Sequence, residues 1–91
     1  MSEVECALMV SPWPGGEFFV GVSALSQNGE MPYAVLPSES ALLEFVAVKM
    51  GLSGELVDDI MLDVREGLSF TRIARIPSQG LDAIRQNHHE R

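Results

Sequence analysis

The sequence contains a single cysteine, Cys6, and no apolar run approaching the roughly 18 residues that a membrane-spanning helix needs. One cysteine excludes an intramolecular disulfide and is typical of proteins in a reducing compartment, so we expect a cytoplasmic location. The missing apolar run predicts no membrane span. The first residues, MSEVEC, are acidic and lack the basic segment that begins a secretory signal, so we expect no signal peptide.

Histidine and cysteine, which often act in catalysis or bind metals, are few in this sequence. His88 and His89 stand near the end of the sequence, in a segment expected to fray, without a third metal ligand nearby. Gly15-Gly16 precedes a predicted strand rather than a helix N-terminus, so we expect no phosphate-binding loop there. The prediction is therefore no enzymatic activity, no cofactor and no resident metal.

Basic residues are also scarce, with six lysines and arginines against thirteen acidic residues and a net charge of −7. The imbalance lies in residues 1–66, which hold eleven acidic residues against Lys49 and Arg65. Residues 67–91 hold two acidic residues against four arginines. An acidic surface repels nucleic acids and membranes and attracts basic surfaces. The expected partner is therefore a protein with a basic surface.

The first part of the chain predicts an antiparallel meander of three strands. Apolar residues alternate over residues 4–10, which is the pattern of a half-buried strand. Residues 17–26 are rich in Phe and Val and predict the second strand. Asn28-Gly29 predicts a type I′ turn that leads into a third strand at residues 31–36.

The same turn predicts the register of the second and third strands. With two residues in the loop, Val22 pairs with Val35 and Ala24 with Tyr33, and these four residues share the face expected to meet the core. Pro32 has no amide to donate, so either the third strand lies at the edge of the sheet or Pro32 stands at the non-bonded side of that strand.

The longest apolar run, Ser40 to Met50, predicts a helix that packs on the sheet. Ser38 precedes it as a predicted N-cap, and Gly51 follows at the position of a C-terminal cap. Apolar residues extend beyond one face of this helix. Val48 therefore either lies under another element or belongs to a dimer or partner interface.

A second, amphipathic helix is predicted from Glu55 to Glu66, with Ser53 as its N-cap. Residues 68–76 are compatible with a strand or with a short helix, and the helix is preferred. A final helix is expected at residues 79–86, with Ser78 as its N-cap.

These elements predict one α+β domain over residues 1–91. Its parts are a three-stranded antiparallel meander at 1–36, two packed helices at 38–66, a C-terminal helical hairpin or a strand and a helix at 67–87, and a frayed tail at 88–91.

The outer surface of the second helix is the main candidate binding surface. The predicted partner-binding residues on it are Leu62, Asp58, Asp59, Asp63 and Glu66. An apolar residue inside a charged rim is typical of a binding hot spot, and an acidic rim steers basic partners. The alternative is a solvated acidic helix face without a partner.

Trp13, between two prolines in a glycine-containing loop, is the second candidate. A tryptophan on a rigid loop either anchors a partner or folds back to cap the sheet. The favoured function is a small, acidic, non-enzymatic protein-interaction module, such as an inhibitor, an immunity-type protein or an adaptor of bacterial or phage type. A homodimer through residues 31–36 or Val48 is a further expectation.

The stretch from Glu66 to Arg75 resembles the beginning of a helix-turn-helix, with a Gly-x-Ser turn leading into an Ile-Ala pair. The resemblance implies an alternative function, a DNA-associated regulator that uses residues 55–87. Its phosphate contacts would come from Arg72, Arg75 and Arg85. The acidic composition of the rest of the chain disfavours nucleic acid as the partner.

Overall fold

The structure, a computed structural model, describes residues 3–24 and 32–89, with side chains for residues 3–23 and 32–86. The elements in chain order are β1 (Glu3–Pro12), β2 (Phe18–Ala24), β3 (Tyr33–Leu36), α1 (Glu39–Glu44), a π-helical turn (Phe45–Lys49) that continues α1, α2 (Gly54–Arg65), β4 (Phe70–Pro77) and α3 (Ser78–His89). The four strands of this described part form one antiparallel sheet in the order β3-β2-β1-β4.

The α+β class and the antiparallel sheet are confirmed, but the three-stranded meander is wrong because β4 adds a fourth strand beside β1. The helix preferred for residues 68–76 is wrong as well, and the strand alternative is confirmed. The reason is long-range pairing. β4 bonds to the backbone of β1 and buries Phe70 and Ile76 in the core, whereas a helix here would leave β1 as an unpaired edge.

The N-caps predicted at Ser38 and Ser53 are confirmed. The Ser38 hydroxyl accepts a hydrogen bond from the Ala41 amide, and the Ser53 hydroxyl accepts one from the Leu56 amide, each 3.2 Å long. These bonds satisfy amides that the first turn of a helix leaves without partners. The π-helical turn ends before Gly51, whose φ of +70° is the left-handed conformation expected of a C-terminal cap.

One face of the sheet and the helices enclose the core. The buried sheet residues share this face through the register of the strands: Cys6, Leu8, Val10, Val20, Val22, Ala34, Leu36, Phe70 and Ile76. From the helices, Leu42, Val46, Ile60 and Ile84 are completely shielded from solvent. All described helices therefore pack on one side. We call the opposite side the open face; its side chains include Ala7, Met9, Phe19, Tyr33, Val35 and Ile73.

The pairing of β2 with β3 differs from the prediction. Tyr33 pairs with Gly21, whereas a turn at Asn28-Gly29 placed it opposite Ala24, three residues away. The predicted register is therefore wrong. The predicted turn itself lies outside the described residues.

An odd shift in register turns the other set of β3 side chains towards the core. Ala34 and Leu36 are buried, while Val35, which was expected to pair with Val22 on the core face, lies on the open face. This arrangement buries aliphatic side chains and leaves the Tyr33 ring 38% exposed, so its phenol is not taken into the core.

The start of α3 packs closely on the end of the π-helical turn. The Gln79 side-chain amide donates hydrogen bonds to the backbone carbonyls of Val48 (3.3 Å) and Lys49 (3.1 Å). Next to it, a Cβ atom on Gly80 would lie 2.7 Å from Cγ2 of Ile76. Only glycine permits this approach without a shift of the neighbours.

Candidate protein-binding surfaces

The acidic face of α2 (Leu62, Asp58, Asp59, Asp63 and Glu66) is turned outward because the other side of the helix is buried. The buried stripe consists of Leu56, Val57, Ile60, Met61 and Val64. Leu62 is 61% exposed. At about 100° per residue, Asp58 and Glu66 lie one turn before and one turn after Leu62, almost in line with it. Leu62 is thus an apolar centre between two carboxylates.

Two arginines neutralise part of the charge around α2. Nη1 of Arg72, on β4, donates to Oδ2 of Asp59 over 3.0 Å, and the Arg72 guanidinium lies 5.0 Å from the centre of the Phe70 ring. Nε of Arg65 donates to Oε2 of Glu39 over 2.6 Å. The side chains of both pairs are about half exposed, so solvent screens them and each pair contributes little to stability.

The unpaired negative charge lies next to Leu62. Within the described part of the chain, Asp58, Asp63 and Glu66 have no ion-pair partner. Asp63 is half-buried, and its backbone carbonyl accepts the amides of Glu66 and Leu68 where the helix ends. The two exposed carboxylates of this face without an ion-pair partner, on Asp58 and Glu66, are therefore those available to a basic partner.

Trp13 folds back against the open face of the sheet. Its ring stacks on Phe19, and Phe19 stacks on Tyr33, with ring centroids 5.7 and 5.6 Å apart. The Trp13 amide donates to the Glu17 carbonyl, and the Gly16 amide donates to the Trp13 carbonyl, which closes the loop. Trp13 is still 41% exposed. It lies on the side of the sheet away from α2, so the structure does not bring it together with the acidic face.

The open face is the candidate surface that the sequence reasoning missed. Besides the stacked rings of Trp13, Phe19 and Tyr33, it contains the apolar side chains of Ala7, Met9, Val35 and Ile73. Ile73 is 57% exposed. Two wrong predictions explain why it was missed. The predicted β3 register placed Tyr33 and Val35 on the core face, and the helix preferred for residues 68–76 placed Ile73 outside the sheet. The signals available were the alternating patterns of β1 and β2, which place Ala7, Met9 and Phe19 on the side opposite the core.

The three arginines of the alternative function do not share a recognition helix. Arg72 is ion-paired on β4, Arg75 lies opposite Glu5 on the open face, and Arg85 is exposed on α3. Because β4 separates α2 from α3, residues 55–87 do not form a helix-turn-helix, and that structural prediction is wrong.

Val48 and a shallow cavity lie on the first helix and the turn that continues it. Val48 is 66% exposed, so no described element covers it. The cavity has a volume of about 100 Å³ and is lined by Leu36, Ala41, Glu44, Phe45 and Lys49. Small-molecule sites begin at about 300 Å³, so this cavity is too small to mark one.

The described residues offer little further chemistry. The Cys6 thiol is completely buried, and this burial raises its pKa, which disfavours the nucleophilic thiolate. The described side chains, those of residues 3–23 and 32–86, include no group of three His, Cys, Asp or Glu residues that could hold a metal ion. No helix within residues 3–24 and 32–89 is long and apolar enough to cross a membrane.

Comparison with known proteins does not assign the chain to a family. A scan against protein-family models, a search of curated proteins and a search of solved structures each found no significant match.

Proposed function

We propose that the protein is a small, non-enzymatic interaction module that binds a basic surface of a partner protein through the acidic face of α2. The observation that carries the proposal is Leu62, which is 61% exposed and has carboxylates one turn before and after it. The roles that fit are an inhibitor, an immunity-type protein or an adaptor, because each acts by covering a surface of its partner.

Leu62 is held on a rigid element. The Ser53 cap and the buried stripe on the opposite side of α2 anchor the helix. A preorganised anchor loses little conformational entropy when it binds. Burying the part of the leucine side chain that is now exposed contributes about 1–2 kcal/mol, which suits the centre of a small interface.

The carboxylates supply attraction and orientation. Asp58 and Glu66 are exposed and have no ion-pair partner in the described chain, so they are free to pair with lysine or arginine. Such interactions weaken with salt, because the screening length falls from about 10 Å at 0.1 M to about 3 Å at 1 M. Binding through the acidic face is therefore expected to be lost at high salt.

A double substitution tests this surface without disturbing the fold. Leu62→Arg replaces the apolar centre with a positive charge, and Asp58→Lys reverses a neighbouring charge. Both positions are exposed. Asp59 stays unchanged because it forms an ion pair. The matched control is Val48→Arg with Glu44→Lys, which makes the same changes at the same spacing on another exposed helix surface.

Wild type and both double variants are immobilised and exposed to extract from cells of the organism that encodes the protein. The bound material is eluted at low and then high salt, and its protein and nucleic acid are identified. We expect a basic protein that wild type and the control variant retain at low salt and the α2 variant does not. Retention by the α2 variant, or recovery of specific nucleic acid without protein, contradicts the proposal.

A further inference from the structure

β4 is an edge strand with one side unpaired. In the order β3-β2-β1-β4, its single strand neighbour within the described chain is β1. β4 is eight residues long. β3 lies at the other edge, which was one of two predicted alternatives; it has four residues and lies between Pro32 and Pro37. Prolines protect an edge against strand pairing. β4 is therefore the edge that is open to another strand.

The hydrogen bonds of the sheet show which residues of β4 point outward. In an antiparallel strand the amide and carbonyl of one residue face the same neighbour, and successive residues alternate. The Val22 amide donates to the Pro32 carbonyl over 3.1 Å, so the backbone groups of the even-numbered residues of β2 face β3. Those of the odd-numbered residues of β2 therefore face β1. The same alternation through β1 makes its even-numbered residues, such as Leu8, face β4, where Leu8 pairs with Arg72.

Three residues of β4 consequently direct their amides and carbonyls away from the sheet: Thr71, Ile73 and Arg75. No residue that the structure describes makes a backbone hydrogen bond to these groups. All three side chains are exposed, that of Ile73 by 57%. The outer edge of β4 thus presents unused donors and acceptors around a central isoleucine.

The sequence of β4 restricts how a second copy can pair with it. Two copies related by a two-fold axis perpendicular to the sheet bring residues of the same parity opposite each other. Registers centred on Arg72 or Arg75 place an arginine opposite itself, which is unfavourable. The register centred on Ala74 places Thr71 opposite Pro77, which has no amide to donate.

The register centred on Ile73 has neither defect. Ile73 then lies opposite Ile73 of the partner subunit, and Thr71 lies opposite Arg75 of the partner subunit. We propose that β4 binds a second copy of this chain antiparallel in this register, which joins the two sheets into one of eight strands. The interface uses every outward amide and carbonyl of the three residues and buries the exposed isoleucine. It is separate from the acidic face of α2 and does not depend on the proposed function.

Proline substitutions on the two edges test the pairing. Ile73→Pro removes an amide that β1 does not use, so the fold is kept and pairing with a second copy is weakened. Val35→Pro is the matched control, because the same alternation points the Val35 amide outward from β3. Circular dichroism and thermal unfolding establish that both variants are folded. Sedimentation equilibrium is expected to show dimers for wild type and Val35→Pro. For Ile73→Pro, the dissociation constant of the dimer is expected to be about ten to a hundred times larger.

Charge complementation tests the register. Ile73→Lys and Ile73→Glu each place like charges opposite one another in a homodimer, so each variant alone is expected to be monomeric. Mixing the two restores a dimer, because the proposed register brings the two side chains at this position together. A wild type that stays monomeric at millimolar concentration, an Ile73→Pro variant that dimerises like wild type, or a mixture that stays monomeric overturns the proposal.

Discussion

Gly80→Ala is expected to destabilise the protein although it replaces glycine within a helix. Gly80 is buried near the start of α3, and its added methyl group would lie 2.7 Å from Cγ2 of Ile76 and 3.2 Å from the Met50 carbonyl oxygen. Carbon atoms in good contact are about 3.5–4.0 Å apart. The methyl group therefore forces either α3 or its neighbours to move.

Two opposing terms decide the size of the effect. Replacing glycine by alanine in a helix contributes up to about 1 kcal/mol through helix propensity. Overpacking a core position costs about 1–3 kcal/mol. We expect a cost in the upper part of that range, because neither neighbour can move easily. Ile76 is completely buried in β4, and the Met50 oxygen belongs to the backbone. The net loss is about 1–2 kcal/mol, and for a chain of this size each kcal/mol lowers Tm by about 4–8 °C.

Gly54→Ala is the matched control. Gly54 is the first residue of α2, and a Cβ atom there would meet no heavy atom within 4 Å. Helix propensity then acts alone, and the free energy of unfolding is expected to stay equal or rise by up to about 1 kcal/mol. Urea denaturation followed by circular dichroism measures both variants. A Gly80→Ala protein as stable as wild type refutes the close packing of α3 on β4 and the π-helical turn.

Three further predictions concern stability and use the same denaturation assay. Gln79→Ala leaves the carbonyls of Val48 and Lys49 without their donor and is expected to lower the free energy of unfolding by about 1 kcal/mol; an unchanged value contradicts the role of this contact. Ser53→Ala removes the N-cap of α2 and should cost about 1 kcal/mol, with Ser53→Asp restoring most of it. Burial raises the pKa of the Cys6 thiol, so the folded chain keeps a proton that the unfolded chain loses. Stability should therefore fall as pH rises above the ordinary thiol pKa of about 8.5, and Cys6→Ala should remove that part of the slope.

The helices and their caps were predictable because their signals are local. Ser38 and Ser53 stand directly before helical patterns, and Gly51 stands directly after one, so short stretches of sequence suffice. The acidic face of α2 follows from the same helical periodicity. The alternation in β1 likewise identified which side chains, such as Leu8, enter the core.

The sheet was harder to predict because its pairing depends on distant residues. The pattern of Phe70, Ile73 and Ile76 suits either a helix or a strand. The strand forms because it pairs with β1, which is remote in sequence. The register of β3 was inferred from one turn signal alone. In the structure Ala34 is buried opposite Val20, which requires a different register. The open face depends on both outcomes, so the alternation in β1 and β2 indicated only part of it.

We propose that Leu62 lies at the centre of a contact with a basic protein. Site-specific photo-cross-linking tests it most directly, with a photoreactive amino acid placed at position 62 in one protein and at the equally exposed position of Val48 in another. Cells of the organism that encodes the protein are irradiated, and the cross-linked species are identified by mass spectrometry. We expect position 62 to form a cross-link to one basic protein, and position 48 to form none. Cross-links from position 48 but not from 62, or from neither position, contradict the assignment of the acidic face of α2 as the binding surface.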